Sequence, residues 1–221
     1  APIRRVHHAL NARNYDAVYI QKDVLMFPAR QLLPRFNPRI VFDLDDALFA
    51  PHPTLTAENQ GFLKRLYLAN QRKGVEQILR MAKGVMVATP YLAEYARRFN
   101  SNVHNIGPGP VDCRNYYRPR PPKERPEFII GWIGSPTTTP FLRPIIPALG
   151  RVLEQLPQAR IRVVGGIPFD TGGVPLEWRN WTLETERDEL ADFDVGLMPL
   201  AQDDYSKGKA GFKVLQYFAM E

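Results

Sequence analysis

Apolar residues along this chain fall into short β-branched runs, separated by longer stretches in which they recur every three or four positions. AVYI (17–20), RIVFDL (39–44), GVMVA (84–88) and VHNI (103–106) have the Val/Ile richness of strands. FIIGWIG (128–134), RIRVVGG (160–166) and DVGLMPL (194–200) extend the series. Between the second and third runs the spacing predicts helix from Leu55 to Ala82. Phe62, Leu66 and Ala69 form one stripe there, Val75, Ile78, Leu79 and Ala82 a second, and Gly74 divides the stretch into two helices. Thr89-Pro90 has the form of an N-cap and first-turn proline opening PYLAEYARRF. Arg143–Leu156, the stretch ERDELADF and KAGFKVLQYFAM (209–220) complete the helical set. Strands that alternate with helices predict an α/β chain whose parallel sheets are covered by helices.

Proline changes the picture from one unit to two. The chain has 21 prolines in 221 residues, and six of them fall between Pro108 and Pro126, where neither a helix nor a central strand can form. This stretch reads as a semi-rigid linker, giving domains at 1–121 and 122–221. Two such α/β units are expected to face each other across a cleft, with ligands at the carboxyl ends of the strands. Charge and cysteine content bound the chemistry. A net charge of +6 admits anionic small molecules, nucleic acid or an acidic membrane surface as partners. A single cysteine excludes an intramolecular disulfide framework and a Cys-based zinc site, and fits a reducing compartment. No apolar run is long enough to span a bilayer. His7, His8, His52 and His104 lack ligand spacing, and Trp132, Trp178 and Trp181 read as packing residues.

Three segments carry candidate chemistry. VFDLDDALF (41–49) ends a strand in Asp43, Asp45 and Asp46, with Asp43 and Asp45 on one face if the strand continues. The string resembles the nucleophile motif of haloacid dehalogenase-like phosphatases, which would make Asp43 the nucleophile, Asp45 the acid/base and magnesium the bridge. Ala47 stands where that motif has threonine. In the C-terminal segment a polar loop containing Tyr205 follows Met198, and Gly208 is expected to open a helix. On that helix Lys209, Lys213 and Gln216 share one stripe, while Phe212, Leu215 and Ala219 face the sheet. Two lysines at a helix start would suit an anion. IGWIGSPTTTPFL (130–142) crowds Ser135 and three threonines behind Gly134, a loop able to hold phosphate by backbone and hydroxyl donors. It is neither a Walker A loop nor a dinucleotide fingerprint.

In order along the chain, NYDAVYIQKD, IVFDLDDALF, GVMVATPYLAEYARRF, VHNIGPGPVD, IGWIGSPTT, FDVGLMPL, GKAGFK and LQYFAM resemble successive elements of group-one glycosyltransferases, family four, with the GT-B fold. The resemblance implies two Rossmann-like domains, both incomplete. The family's first strand would lie before Ala1 and its closing units beyond Glu221, so the 221-residue chain alone is expected to be catalytically impaired. It implies a retaining hexosyltransferase that moves sugar from a nucleotide-sugar donor to a glycan, lipid-linked or small-molecule acceptor. Donor binding would fall to Gly134, Ser135, Met198, Tyr205, Gly208, Lys209, Lys213 and Gln216, the last at the position of a ribose-binding glutamate. Asp45 and Asp46 would serve the acceptor hydroxyl. No metal is expected where lysines carry the leaving-group charge, and no cofactor beyond the donor. Nucleic acid is not an expected partner. A cytoplasmic location is implied, with peripheral contact to an acidic membrane surface at its inner face left open. The rival readings are the phosphatase and a non-catalytic module that binds nucleotides or nucleic acid.

Overall fold

The β-branched runs assemble into two parallel sheets of four strands each in the computed structural model, which describes residues 2–52, 61–114 and 126–220. Each sheet belongs to its own unit. The first unit comprises residues 1–109 with 202–210, and the second 110–201 with 211–221. The proline-rich linker falls largely on 115–125 and the expected division at 121/122 with it, outside the described residues.

In the first unit β1 (Val18–Gln21), β2 (Ile40–Leu44), β3 (Gly84–Val87) and β4 (Val103–Asn105) lie in that order, every pair parallel. Parallel neighbours need long crossovers, and α2 (Ala29–Phe36), α3 (Phe62–Met81) and α4 (Pro90–Arg97) supply them, with α1 (Pro2–Asn11) leading into β1. Ile40, Phe42 and Leu44 of β2 are fully buried with Val75, Ile78 and Leu79 of α3, as the second apolar stripe predicts. The first stripe is different: Leu66 and Ala69 are exposed, and the Phe62 side chain lies outside the described residues. Nor does Gly74 split the helix. A Cβ there would lie 2.4 Å from the Arg30 guanidinium and the Val24 side chain, so α3 runs unbroken and uses the missing side chain for close packing. Thr89 does cap α4, its hydroxyl accepting the Leu92 N–H at 3.2 Å ahead of Pro90. The pattern gives no expectation for α2, because Pro34 in its interior removes a helix hydrogen bond. Burial of Ala29 and Leu33 carries the helix regardless.

In the second unit β5 (Phe128–Ile133), β6 (Ala159–Val164), β7 (Glu177–Arg179) and β8 (Val195–Gly196) take the order β7-β6-β5-β8. The helix expected from Arg143 starts later. Thr139–Ile145 is a 3-10 stretch containing Pro140 and Pro144, and α5 (Ile146–Gln155) begins with Pro147 in its first turn. Prolines cannot donate to the preceding turn, which holds the α-helix back to that point. DVGLMPL contributes only Val195 and Gly196 to the ladder. Gly196 sits against the Tyr217 ring and Gly131 against the Phe193 ring, each where a Cβ would collide. The helix α6 (Leu183–Ala191) starts earlier than ERDELADF, capped by Thr182. The C-terminal stretch forms two helices, α7 (Asp204–Lys207) and α8 (Phe212–Phe218). Among the described residues no helix is long and apolar enough to cross a membrane.

Candidate functional sites

In the first unit the carboxyl ends of β1 and β2 gather four charges. The strand stops at Leu44, so Asp43 lies within β2 while Asp45 and Asp46 follow it. The Asp43 carboxylate is buried and accepts hydrogen bonds from the Tyr19 hydroxyl and, at 3.2 Å, from Gln21 Nε2. This bond pushes the Tyr19 phenol up to about 12, assisted by burial and the charge of Asp43. Both donors to this carboxylate are thus neutral side chains of β1. Asp45 and Asp46 instead meet cations. Lys22 Nζ lies 2.7 Å from Asp45 Oδ2 and 3.5 Å from Asp46 Oδ2. Lys209 Nζ lies 2.8 Å from Asp46 Oδ1. Lys22 reaches them from a left-handed backbone, φ 54°, which is uncommon outside glycine.

Lys209 corrects the expected helix. Gly208 does not open a helix; it ends α7, whose N-cap is Asp203. Its Cβ, if present, would lie 2.7 Å from Ala47 Cβ and 2.9 Å from the Ala47 nitrogen, so only glycine lets this segment approach the loop behind β2. Docking there presents Lys209 to Asp46 and packs Tyr205 against the first core. Lys209 Nζ also donates to the Tyr205 hydroxyl at 3.2 Å, and the His52 ring meets the Tyr205 ring edge-on at 4.6 Å. Burial works to lower the Lys209 ammonium, but its bond to Asp46 and that carboxylate's charge outweigh it and leave it raised. Burial and Lys209 together lower the His52 imidazole, against the pull of Asp46 and Asp203.

Lys213 and Gln216 belong to the second unit, on α8, which starts at Phe212 behind Gly211 in a left-handed conformation, φ 74°. Lys209 therefore shares no helical stripe with them. The faces only partly follow expectation: Ala219 is buried and Leu215 half-buried, as expected for the sheet-facing stripe, but Phe212 is exposed and Gln216 is buried. Lys213 Nζ lies 4.6 Å from the centre of the Trp132 ring, a cation–π contact on a buried indole. Gly134 meets the same ring, its notional Cβ 2.5 Å from the indole edge. The fold thus brings Gly134 and Lys213 to one indole.

The loop after β5 is a hydroxyl-rich turn. Ser135 N–H donates to Thr138 Oγ1 at 3.1 Å, Ser135 Oγ lies 2.9 Å from Thr137 Oγ1, and Thr139 Oγ1 accepts Ile167 N–H at 3.2 Å. At the end of β6, Gly165 has φ 75°, and a Cβ on it would lie 2.3 Å from the Gly134 carbonyl oxygen and 2.9 Å from Trp181 Cβ. The Gly165 backbone thus leaves no room for a side chain against the Gly134 carbonyl. Trp181 Nε1 then donates to Glu186 at 2.7 Å, and Gln216 Nε2 donates to the same carboxylate at 3.3 Å. Met198 follows Leu197, whose carbonyl accepts the Tyr217 hydroxyl at 2.9 Å. Burial pushes that hydroxyl up to about 12.

Sequence reasoning did not single out Lys22 or Glu186, and it read Trp181 as a packing residue without its bond to Glu186. A lysine closing the run AVYIQK and a carboxylate four residues after a Thr cap were the available signals for the first two. Among the described residues no group of three or more His, Cys, Asp or Glu side chains is arranged to hold a metal ion.

No family model matches the chain, and no curated protein matches it. Solved structures do. An α,α-trehalose 6-phosphate synthase from Burkholderia multivorans aligns over 100% of this chain and 58% of its own, with TM-score 0.63 and 11% identity. WaaG, a glycosyltransferase involved in lipopolysaccharide biosynthesis, aligns over 99% of this chain and 74% of its own, at TM-score 0.59 and 17% identity. A trehalose-6-phosphate synthase studied for enzymatic glycosyltransfer with retention aligns over 94% and 60%, at TM-score 0.56 and 15% identity. The chain spans about three fifths of the two synthases' length. At such identities the likeness shows the fold: the chain is α/β, with two parallel-sheet units of the GT-B glycosyltransferase type.

Proposed function

We propose that this chain acts in glycosyl transfer, moving a hexosyl group from a nucleotide-sugar donor to an acceptor hydroxyl with retention of configuration, as a family-four-like enzyme of the cytoplasm. The bond from the anomeric carbon to the donor's diphosphate oxygen breaks, the acceptor oxygen bonds to that carbon on the same face, and the acceptor proton leaves. The observation that carries the reading is the glycine-lined loop at the ends of β5 and β6, with Gly134 and Lys213 against one indole. A diphosphate there would meet backbone and Ser135 donors and one ammonium. Stabilising the charge that develops on the leaving group is the largest service such a site can supply.

Donor binding falls to Gly134, Ser135, Met198 and Lys213 in the second unit, with Gln216 serving through the Glu186 carboxylate that it shares with Trp181. In the first unit Asp45 and Asp46 serve the acceptor. Lys209, Tyr205 and Gly208 enter as the groups that hold Asp46, in place of the direct donor role that the resemblance implied for them. The acceptor is a glycan, a lipid-linked sugar or a small glycoside, and no cofactor is required.

Calorimetric titration with UDP, GDP, ADP and dTDP tests this. One of them is expected to bind at sub-millimolar affinity. Lys213→Ala should weaken the diphosphate by about ten- to a hundred-fold, leaving the matching nucleoside unchanged, because the lost contact is a charge-assisted one to phosphate. Absence of binding by all four, or equal affinity of wild type and variant for the diphosphate, would overturn the reading.

A further inference from the structure

Strands β5, β6 and β7 are neighbours and parallel, so their carboxyl ends open on one side of the second sheet. Gly134 follows β5, Gly165 follows β6, and Trp181 stands two residues beyond β7. The empty Cβ position of Gly165 is flanked by both the Gly134 carbonyl and the Trp181 Cβ. Trp181 therefore borders the loop that the transfer reading gives to the diphosphate.

The three tryptophans of this unit are used differently. Trp132 is 1% exposed and carries Lys213 on its ring, and Trp178 meets Phe169 edge-on. Trp181 is 47% exposed, and among the described residues no cation or second ring is set against it. A large ring left half in water forfeits the gain of burial, yet this one is held firmly. Its Cβ is pressed on Gly165 and its Nε1 donates to Glu186 at 2.7 Å, so the open part is the ring. Glu186 is buried in the first turn of α6, behind the Thr182 cap. Its other oxygen accepts Gln216 Nε2 at 3.3 Å. Gln216 lies three residues after Lys213 on α8, which places the two on neighbouring positions of one face.

We propose that Trp181 is the stacking platform for the nucleobase of the donor, and that Glu186 is the positioning residue that holds the indole and ties it to the helix carrying Lys213. An indole whose N–H is committed keeps its π-face for a planar ring, and base–aromatic stacking tolerates any base. A ring fixed before the ligand arrives loses no rotamer freedom on binding. The base would lie on Trp181 and the diphosphate at the Gly134–Ser135 loop with Lys213. The proposal rests on the reading of the second unit as a nucleotide-sugar site, and adds what holds the base there.

Calorimetry with the tightest binder among UDP, GDP, ADP and dTDP, and with inorganic pyrophosphate displacing it, tests the proposal. Trp181→Ala should weaken the nucleoside diphosphate by about tenfold and leave pyrophosphate unchanged, and Trp181→Phe should recover most of the loss. Glu186→Leu should weaken the nucleoside diphosphate by about fivefold, again without change for pyrophosphate. Glu186→Gln keeps an acceptor for the indole and should stay within about twofold of wild type. Lys213→Ala should weaken both probes, which separates a lost phosphate contact from a lost base contact. Full affinity for the nucleoside diphosphate in Trp181→Ala, a matching loss of pyrophosphate in that variant, or no recovery in Trp181→Phe would overturn the platform and leave the transfer reading standing. Wild-type affinity in Glu186→Leu would overturn the positioning role. Failure of all four nucleoside diphosphates to bind the wild type would overturn the transfer reading itself, and the platform with it.

Discussion

The pairing of Lys209 with Asp46 is open to a double-mutant cycle, because both partners are largely buried and each has a neutral replacement of similar shape. At 2.8 Å two unit charges attract by about 6 kcal/mol at an effective dielectric of about 20. The side chains are only 18% and 17% exposed, so lost hydration cancels much of that attraction. A coupling of about 2 kcal/mol is expected, above the ~0.2–1 kcal/mol of fully exposed pairs. Lys209→Met and Asp46→Asn, alone and together, complete the cycle. In Lys209→Met, Asp46 retains Lys22 at 3.5 Å, which limits the cost of an orphaned carboxylate. Tryptophan fluorescence is blind here, since Trp132, Trp178 and Trp181 all belong to the second unit. Hydrogen exchange is the suitable assay. The Gly208 and Lys209 amides donate to the Tyr205 and Ser206 carbonyls, and their opening free energies report the docking of residues 202–210 on the first unit. A coupling below about 0.5 kcal/mol would refute the argument that burial makes this pair matter.

Gly165→Ala combines a left-handed backbone with a Cβ 2.3 Å from the Gly134 carbonyl oxygen, and should cost the second unit about 3 kcal/mol; urea unfolding followed by tryptophan fluorescence would show a lowered midpoint. Gly172→Ala, with φ 62° and open space around it, is the control and should cost about 1 kcal/mol. For His52, burial and Lys209 lower the folded imidazole below the unfolded value near 6.5, so the unfolded chain takes up the proton first as pH falls. Stability of the first unit should therefore decline from about pH 6.5 down to the folded midpoint, and His52→Gln should flatten that decline; an imidazole NMR midpoint at or above about 6.5 in the folded protein would contradict this.

The strands were legible because parallel sheets bury both faces and write themselves as continuous apolar runs. RIVFDL became β2 and FIIGWIG became β5 for this reason. Where apolar character serves something other than a ladder, the same reasoning overreads. DVGLMPL is apolar because Leu197 packs among the second unit's core residues and Gly196 lies under Tyr217, yet only two of its residues pair. Gly74 misled in the opposite direction. A glycine in a helical pattern reads as a break, but its cost of about 1 kcal/mol is small against the packing it permits, here with Arg30 and Val24. Leu66 shows a third limit, since helical spacing says which residues share a face and is silent on whether anything covers it.

The lysines separate what spacing can decide from what it cannot. Positions i, i+4 and i+7 coincide on a helix only if one helix contains them all, and Gly211, at φ 74°, starts a new one between Lys209 and Lys213. The signal was present in KGKAGFK, where two glycines flank the join, but a glycine that starts a helix and one that makes a close approach look alike in sequence. Contact geometry tells them apart: Gly211 has nothing within 4 Å of its Cβ position, whereas Gly208 has the Ala47 backbone at 2.9 Å. The first is a conformational glycine and the second a packing one. Because Gly208 is the packing glycine, Lys209 goes to Asp46 and its charge is spent on a carboxylate. Lys213, held over Trp132 next to Gly134, is then the lysine on which a diphosphate role rests. It follows that Lys213→Ala and Lys209→Met should differ in kind. The first should weaken nucleoside diphosphate binding while leaving exchange at residues 202–210 unchanged, and the second should do the reverse. Identical phenotypes for the two would mean that both lysines serve one anion, as the spacing alone proposed.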